Sequence, residues 1–183
     1  VCAPRDDVDL AAMLHWALAE SGPSAIRYAR SKAPTIGAKD GRDILRGEIL
    51  RKGSDAVLLA IGPVISACLA VAESLAHDGY SGGVADARWI KPLDGALLDK
   101  LRGTPIITVE ENTLPGGFGA GVIEYYADHG GLDDLRIRRM GFPDRYIDHA
   151  TREEQLAEIG LDFDSIAAAA RELVGQRIPH PVS

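Results

Sequence analysis

The chain has 183 residues, 46% of them apolar and 26% charged, with a formal net charge of −7; this is the profile of a soluble globular chain long enough to bury a substantial core. The acidic balance argues against nucleic acid as the main partner, because a phosphate backbone calls for a basic footprint, whereas a small anion needs only one or two arginines. No run approaches 18 apolar residues, so no membrane span is expected. The two cysteines, Cys2 and Cys68, make no disulfide framework and are read as free thiols in a reducing compartment. The opening Val-Cys-Ala-Pro has neither an initiator Met nor the apolar core of a signal peptide, and the chain is read as part of a longer protein.

Residues 7–20 are predicted to be helical, with Leu10, Met13, Leu14 and Ala17 at helix spacing and Asp6 or Asp7 as the cap. Gly22-Pro23 ends that helix, and residues 24–28 read as a short strand around Ile26. Residues 31–46 are polar and rich in Gly and Pro, the best candidate for a linker. An alternating pattern then begins. Residues 48–51 read as a short strand that could run antiparallel, and residues 56–61 as a continuous apolar strand covered on both faces. Pro63 is placed at the first position of a helix whose stripe is Ile65, Cys68, Leu69, Ala72 and Leu75. Further strands are expected at 82–87, 105–109 and 135–140, and further helices at 92–101, 120–129 and 164–174. Thr151 and Glu154 form a capping box for one more helix. Strands alternating with helices predict a three-layer α/β/α fold around a mostly parallel sheet of about five strands.

Few residues offer chemistry. Arg27 and Arg30 straddle the end of the first predicted strand; their opposite parity points them to opposite faces, so at most one enters a given pocket. A guanidinium fork suits a phosphate, but it serves a surface carboxylate as well. Glu110 and Glu111 lie at a strand's C-terminal end, where α/β sheets place ligands, yet neighbours on a strand face opposite ways and make a poor acid–base pair. The turn Pro115-Gly-Gly-Phe-Gly119 could offer N–H groups to an anion or let backbones pack closely. Arg88 and Lys91 follow a strand and fit a domain contact as well as a substrate. His15 is read as packing and His149 as structural, while His77, His129 and His180 lack metal-ligand spacing. Ser24 and Ser66 have no base in view to activate them.

Five stretches, in order, carry a resemblance. They are Gly22-Pro-Ser-Ala-Ile-Arg-Tyr-Ala-Arg30, Ala87-Arg-Trp-Ile-Lys-Pro-Leu-Asp94, Thr108-Val-Glu-Glu-Asn112 with Gly116-Gly-Phe-Gly119, Gly141-Phe-Pro-Asp-Arg-Tyr-Ile-Asp-His149, and Gly160-Leu-Asp162. Together they resemble the C-terminal part of the 1-deoxy-D-xylulose-5-phosphate synthases, members of the transketolase-like thiamine diphosphate enzymes, from about Pro4 to Val174. The resemblance implies that residues 1–36 end a pyrimidine-binding domain, 37–47 link, 48–175 form a transketolase C-terminal-type domain and 176–183 are a tail. It assigns Arg30, or alternatively Arg27, to the phosphate of glyceraldehyde 3-phosphate. Ala29 and Ser31 depart from the family's Pro and Gly on either side of Arg30.

The family's cofactor motif, Gly-Asp-Gly followed by Asn, does not occur; Lys39-Asp-Gly-Arg42 is a partial match only. Thiamine diphosphate and Mg2+ are therefore expected to be bound by residues outside this chain, which is assigned no catalytic residue and no metal ligand. The whole enzyme would condense pyruvate with glyceraldehyde 3-phosphate, losing CO2, to supply isoprenoid, thiamine and pyridoxal synthesis. It would be a cytoplasmic homodimer, and the portion alone inactive. A transketolase, or the beta subunit of a 2-oxoacid dehydrogenase, is the rival reading. A purely packing and dimerising role for residues 48–175 is the other.

Overall fold

The computed structural model describes residues 1–30, 32, 35–37 and 41–175. The expected tail at 176–183, with His180, lies outside the described residues, as do positions 31, 33, 34 and 38–40 of the expected linker region.

Strand β2 (Ala56–Ile61) is the centre of the molecule, and every residue of it is buried. Ala56, Leu58 and Ala60 face one apolar cluster, and Val57, Leu59 and Ile61 face another. Period-two alternation with no polar residue on either side requires cover on both faces. Helices α2 (Ile65–His77) and α6 (Phe163–Gly175) cover the first face; α3 (Gly95–Lys100) and α4 (Phe118–His129) cover the second. The sheet also contains β1 (Glu48–Arg51), β3 (Gly82–Asp86), β4 (Ile106–Thr113) and β5 (Ile137–Phe142), in the order β1-β3-β2-β4-β5. All neighbours run parallel except β1, which pairs antiparallel with β3. The expected three-layer α/β/α fold with a mostly parallel five-stranded sheet is thus what forms. No helix among the described residues is long and apolar enough to cross a membrane.

Local chemistry sets the element ends. Helix α1 (Asp7–Ala19) is capped by Asp6, whose carboxylate accepts the Asp9 N–H at 2.9 Å. Helix α5 (Arg152–Glu158) starts on the Thr151–Glu154 capping box in both directions. Several expectations are corrected. Residues 24–28 form no strand, only a single bridge at Ile26. Helix α2 starts at Ile65, two residues after Pro63, because Gly62 first turns the chain at φ 83°. Helix α3 starts at Gly95 rather than 92, where Asp94 caps the Leu97 N–H. Strand β4 runs four residues beyond the expected end, to Thr113.

Helix α1 is rolled relative to its apolar stripe. Asp9 and Met13 are its buried residues, while Leu14 is 46% and Leu18 86% exposed. Buried arginines hold Asp9 inward, and that attraction overrides the leucine pattern. His15 consequently lies exposed, bonded to the Ala11 carbonyl of its own helix at 2.8 Å rather than packed.

Leu59 has no exposed surface and packs at the centre of β2. We expect Leu59→Ala to cost about 2–5 kcal/mol through lost burial and a residual cavity. In urea titration it should lower the unfolding midpoint without changing the slope.

Candidate functional site

Residues 1–3 form an extended stretch between two others. The Cys2 N–H donates to Ala25 O at 3.0 Å, the Arg27 N–H to Cys2 O at 2.9 Å, and the Ala3 N–H to Arg88 O at 2.9 Å. A small cluster of Cys2, Met13 and Trp89, flanked by Trp16, Ile26 and Ile44, lies beneath. Trp16 and Trp89 meet edge to face at 4.8 Å, and the Trp89 indole donates to Ile44 O at 2.8 Å. The segment at 22–30 hangs from this cluster. Arg27 is half-buried and Arg30 exposed; with no strand over residues 24–28, this difference does not come from strand parity. Burial pushes the Arg27 guanidinium below its ordinary range, and the charges of Glu110 and Glu111 oppose that shift. Arg27 therefore lies within electrostatic reach of the carboxylates at the end of β4.

Those carboxylates diverge. Glu110 is fully buried, and its two oxygens accept the Phe118 and Gly119 N–H groups at 2.8 and 2.9 Å. It closes the N-terminus of α4, the position where the Gly-rich turn could have held an anion. Burial raises the Glu110 carboxyl above its ordinary range, and the two N–H donors with Arg27 and Arg139 pull it back. A Cβ on Gly117 would lie 2.6 Å from Glu110 Oε2 and would overlap the Thr113 carbonyl, so close approach is why glycine stands there. Glu111 faces away and forms a two-bond pair with Arg152, the Nε at 3.1 Å from Oε2, at the start of α5. Neither forms an acid–base pair with the other.

In an open sheet of this order, the crevice for ligands lies outside the C-terminal ends of β2 and β4. Here the chain fills part of that place itself. Ala3 is buried in the cluster of Val57, Leu59 and Ile61, and a Cβ placed on Gly62 would lie 3.8 Å from that of Ala3.

Beside it lies a buried group of charges that the sequence did not announce. Arg88, 1% exposed, bonds through Nε to Asp9 Oδ2 at 3.2 Å and through Nη2 to Glu48 Oε2 at 2.6 Å. Its Nη1 donates to the carbonyls of Asp43 and Arg46 at 2.7 and 3.0 Å. Arg5, 2% exposed, bonds to Glu48 at 2.9 Å and Asp86 at 3.3 Å. Arg42 joins Asp6 and Asp9, each at 2.8 Å. Arg88 is thus a contact residue between segments, while Lys91 is exposed. Burial pushes Asp86 up to about 7, against the pull of Arg88 and Arg5 and with help from Asp9. Burial also raises Asp6, but bonds from Arg42 and from the Asp9 and Ile36 N–H groups outweigh it and hold Asp6 below its ordinary value.

Among the described residues, no three His, Cys, Asp or Glu side chains converge on a possible metal position. The buried carboxylates Asp6, Asp9 and Asp86 are paired with guanidiniums, and Glu110 is spent on a helix end. These residues do not fit a magnesium–diphosphate group. His149 is exposed, in the connection leading to Thr151.

Residues 45–166 match the family described as "Transketolase, C-terminal domain". The chain belongs to that family. Among curated relatives, 1-deoxy-D-xylulose-5-phosphate synthase of Magnetococcus marinus is 43% identical over 96% of this chain. The synthase of that name from Anaeromyxobacter dehalogenans is 40% identical over 96%. The chain spans about 29% of the length of each of these relatives. Among solved structures, a split-gene transketolase in an inactive beta4 tetramer superposes with a TM-score of 0.87 at 27% identity, covering 97% of this chain and 58% of that one. A transketolase from Campylobacter jejuni shares the fold, with a TM-score of 0.70 at 18% identity over 93% of this chain and 26% of that one.

The transketolase C-terminal-type domain thus carries a charged contact with residues 1–47 at its core. The one signal for it in the sequence was Asp86 closing an apolar strand, with Arg88 two residues on. Asp86 takes up a proton on folding between its ordinary value of 3.8 and about 7. Its contribution to stability is full below that window and is lost as pH rises through 7. Between about pH 4 and 7, chemical denaturation should therefore show stability falling with rising pH, and Asp86→Asn should flatten that slope.

Proposed function

We propose that this chain is the C-terminal part of a 1-deoxy-D-xylulose-5-phosphate synthase. The observation that carries this reading is the 43% identity to a synthase of that name over 96% of the chain, against 27% to a solved transketolase of comparable coverage. The whole enzyme condenses pyruvate with glyceraldehyde 3-phosphate to 1-deoxy-D-xylulose 5-phosphate and releases CO2, work that serves isoprenoid, thiamine and pyridoxal synthesis. Thiamine diphosphate supplies the carbanion chemistry, held with Mg2+ by residues outside this chain. Residues 1–36 end the pyrimidine-binding domain, 37–47 link, 48–175 form the C-terminal domain and 176–183 the tail. The enzyme is a cytoplasmic homodimer.

Within this chain, Arg30 binds the acceptor's phosphate and so orients its aldehyde toward the reacting centre. Its exposure supports that assignment over Arg27, which is half-buried and lies in the field of Glu110 and Glu111. Residues 48–175 serve as a packing and dimerising body without a ligand of their own. Two observations favour this: Glu110 occupies the α4 N-terminus, and Ala3 sits in the crevice at the end of β2.

In the full-length protein, CO2 release from pyruvate should depend on glyceraldehyde 3-phosphate. Arg30→Ala should raise KM for that acceptor by roughly ten- to a hundredfold, the loss of one charge-assisted phosphate contact. KM for pyruvate should stay unchanged; equal changes in both constants would remove Arg30 from this role.

A further inference from the structure

We infer that the outward face of helix α1, carried by Ala11, Leu14 and Leu18, is a docking face for the part of the same polypeptide that precedes this chain. This rests on the reading of the chain as the C-terminal part of a longer enzyme.

The composition of α1 is that of a helix covered on both sides. From Leu10 to Ala19 the only ionisable side chain is His15. A helix on a protein surface turns charged residues outward, whereas one that is apolar all round is enclosed. Here one side alone is enclosed. Asp9 and Met13 are the buried residues, and Trp16 meets Trp89 edge to face. Leu18 lies about 2.5 turns beyond Asp9 and so on the opposite side, with Ala11 and Leu14 beside it. All three are exposed, Leu14 by 46% and Leu18 by 86%.

The helix is not free to roll and hide them. Asp9 accepts from Arg42 Nη1 at 2.8 Å and from Arg88 Nε at 3.2 Å, and the capping Asp6 accepts from Arg42 at 2.8 Å. Rolling would break these bonds and expose Met13 in exchange for the leucines. The apolar stripe is therefore held outward by the charges on the other side.

Two observations select the occupant. The chain spans about 29% of each of its synthase relatives, so most of such a protein lies outside it. The stripe is also short. From Ala11 to Leu18 the helix advances about 10 Å, whereas a stable complex between separate chains buries roughly 800 Å² on each partner. Such a stripe does not hold a second copy by itself. It suffices for a neighbour in the same polypeptide, which is tethered at high effective concentration. His15 is bonded to the Ala11 carbonyl of its own helix. The surface that meets this face is accordingly apolar. Helix α1 then belongs to two cores, joined to the sheet by charge and to the preceding part by its leucines.

The test uses the full-length protein. Leu18→Cys and the milder Ala11→Cys place a thiol on the face, and Glu73→Cys places one on the exposed side of α2. Cys2 and Cys68 are buried, and rates are read above those of the parent protein. A maleimide should modify positions 18 and 11 at least about tenfold more slowly than position 73, with the difference abolished in denaturant. On irradiation, Leu14→p-benzoylphenylalanine should cross-link to peptides upstream of Val1 in the same chain, so denaturing electrophoresis keeps the single-chain mass. Modification at 18 and 11 as fast as at 73, or a cross-link between two chains, would overturn the proposal. Should Leu18→Cys fail to fold, Ala11→Cys decides. Failure of the synthase reading has a separate sign, the absence of acceptor-dependent CO2 release in the parent protein, and the labelling result stands without it.

Discussion

Arg88 stands where β3 ends and takes hold of four parts of the chain at once: Asp86 on its own strand, Asp9 on α1, Glu48 on β1, and the carbonyls of Asp43 and Arg46 between them. Its backbone sits at φ 55°, a left-handed conformation that costs a non-glycine residue about 1–2 kcal/mol. The turn directs the side chain back into the protein instead of outward. Ion groups of this kind add little net stability, since desolvation consumes most of the attraction. They do restrict arrangement. Apolar faces tolerate sliding, but a guanidinium fork surrounded by acceptors is satisfied in one placement. The apolar cluster under residues 1–26 is small, centred on Cys2, Met13 and Trp89. The charges, more than that cluster, determine how residues 1–47 sit on the sheet.

That placement has consequences at the sheet's C-terminal end. The first residues lie over β2, bridge to Ile26, and so deliver Arg27 to the acidic end of β4 and Arg30 to solvent. The domain has used its own ligand-binding features in doing this. Glu110 satisfies the N–H groups of α4 that would otherwise attract an anion, and Ala3 fills part of the crevice. A domain that consumes its own anion site and still presents an arginine at its margin suits the proposed role of completing a site held elsewhere. The relatives' greater length accords with that.

The sheet was legible in the sequence because β2 is apolar at every position and its neighbours alternate with amphipathic helices; burial on both faces leaves no other arrangement. The opposite facing of Glu110 and Glu111 was legible from strand parity alone. The charge group was not. Its members lie at positions 5, 6, 9, 42, 48, 86 and 88, and each looks like an ordinary surface residue in its own surroundings. For the same reason the leucines of α1 mark the wrong face: a carboxylate attracted by buried guanidiniums takes the buried side. Hydrophobic periodicity carries no term for an attraction between residues eighty positions apart.

The Gly- and Pro-rich stretch before β1 shows the same limit more sharply. Its composition reads as a passive spacer, because turn residues report on backbone conformation and not on what the backbone is bonded to. In the structure the carbonyls of Asp43 and Arg46 accept from Arg88, that of Ile44 accepts from Trp89, and the Gly47 N–H donates to Asp94 at 2.8 Å. Side chains from the connection after β3 thus satisfy this backbone almost residue by residue. Moving residues 1–36 against residues 48–175 would require breaking several buried charge pairs, each worth about 3–5 kcal/mol when one partner is left behind. The three guanidiniums of Arg5, Arg42 and Arg88 face the four carboxylates of Asp6, Asp9, Glu48 and Asp86. The surplus negative charge falls where burial is deepest, and Asp86 accordingly resists ionisation. Residues 43–47, at the end of the stretch that composition marks as a linker, are therefore a fastening.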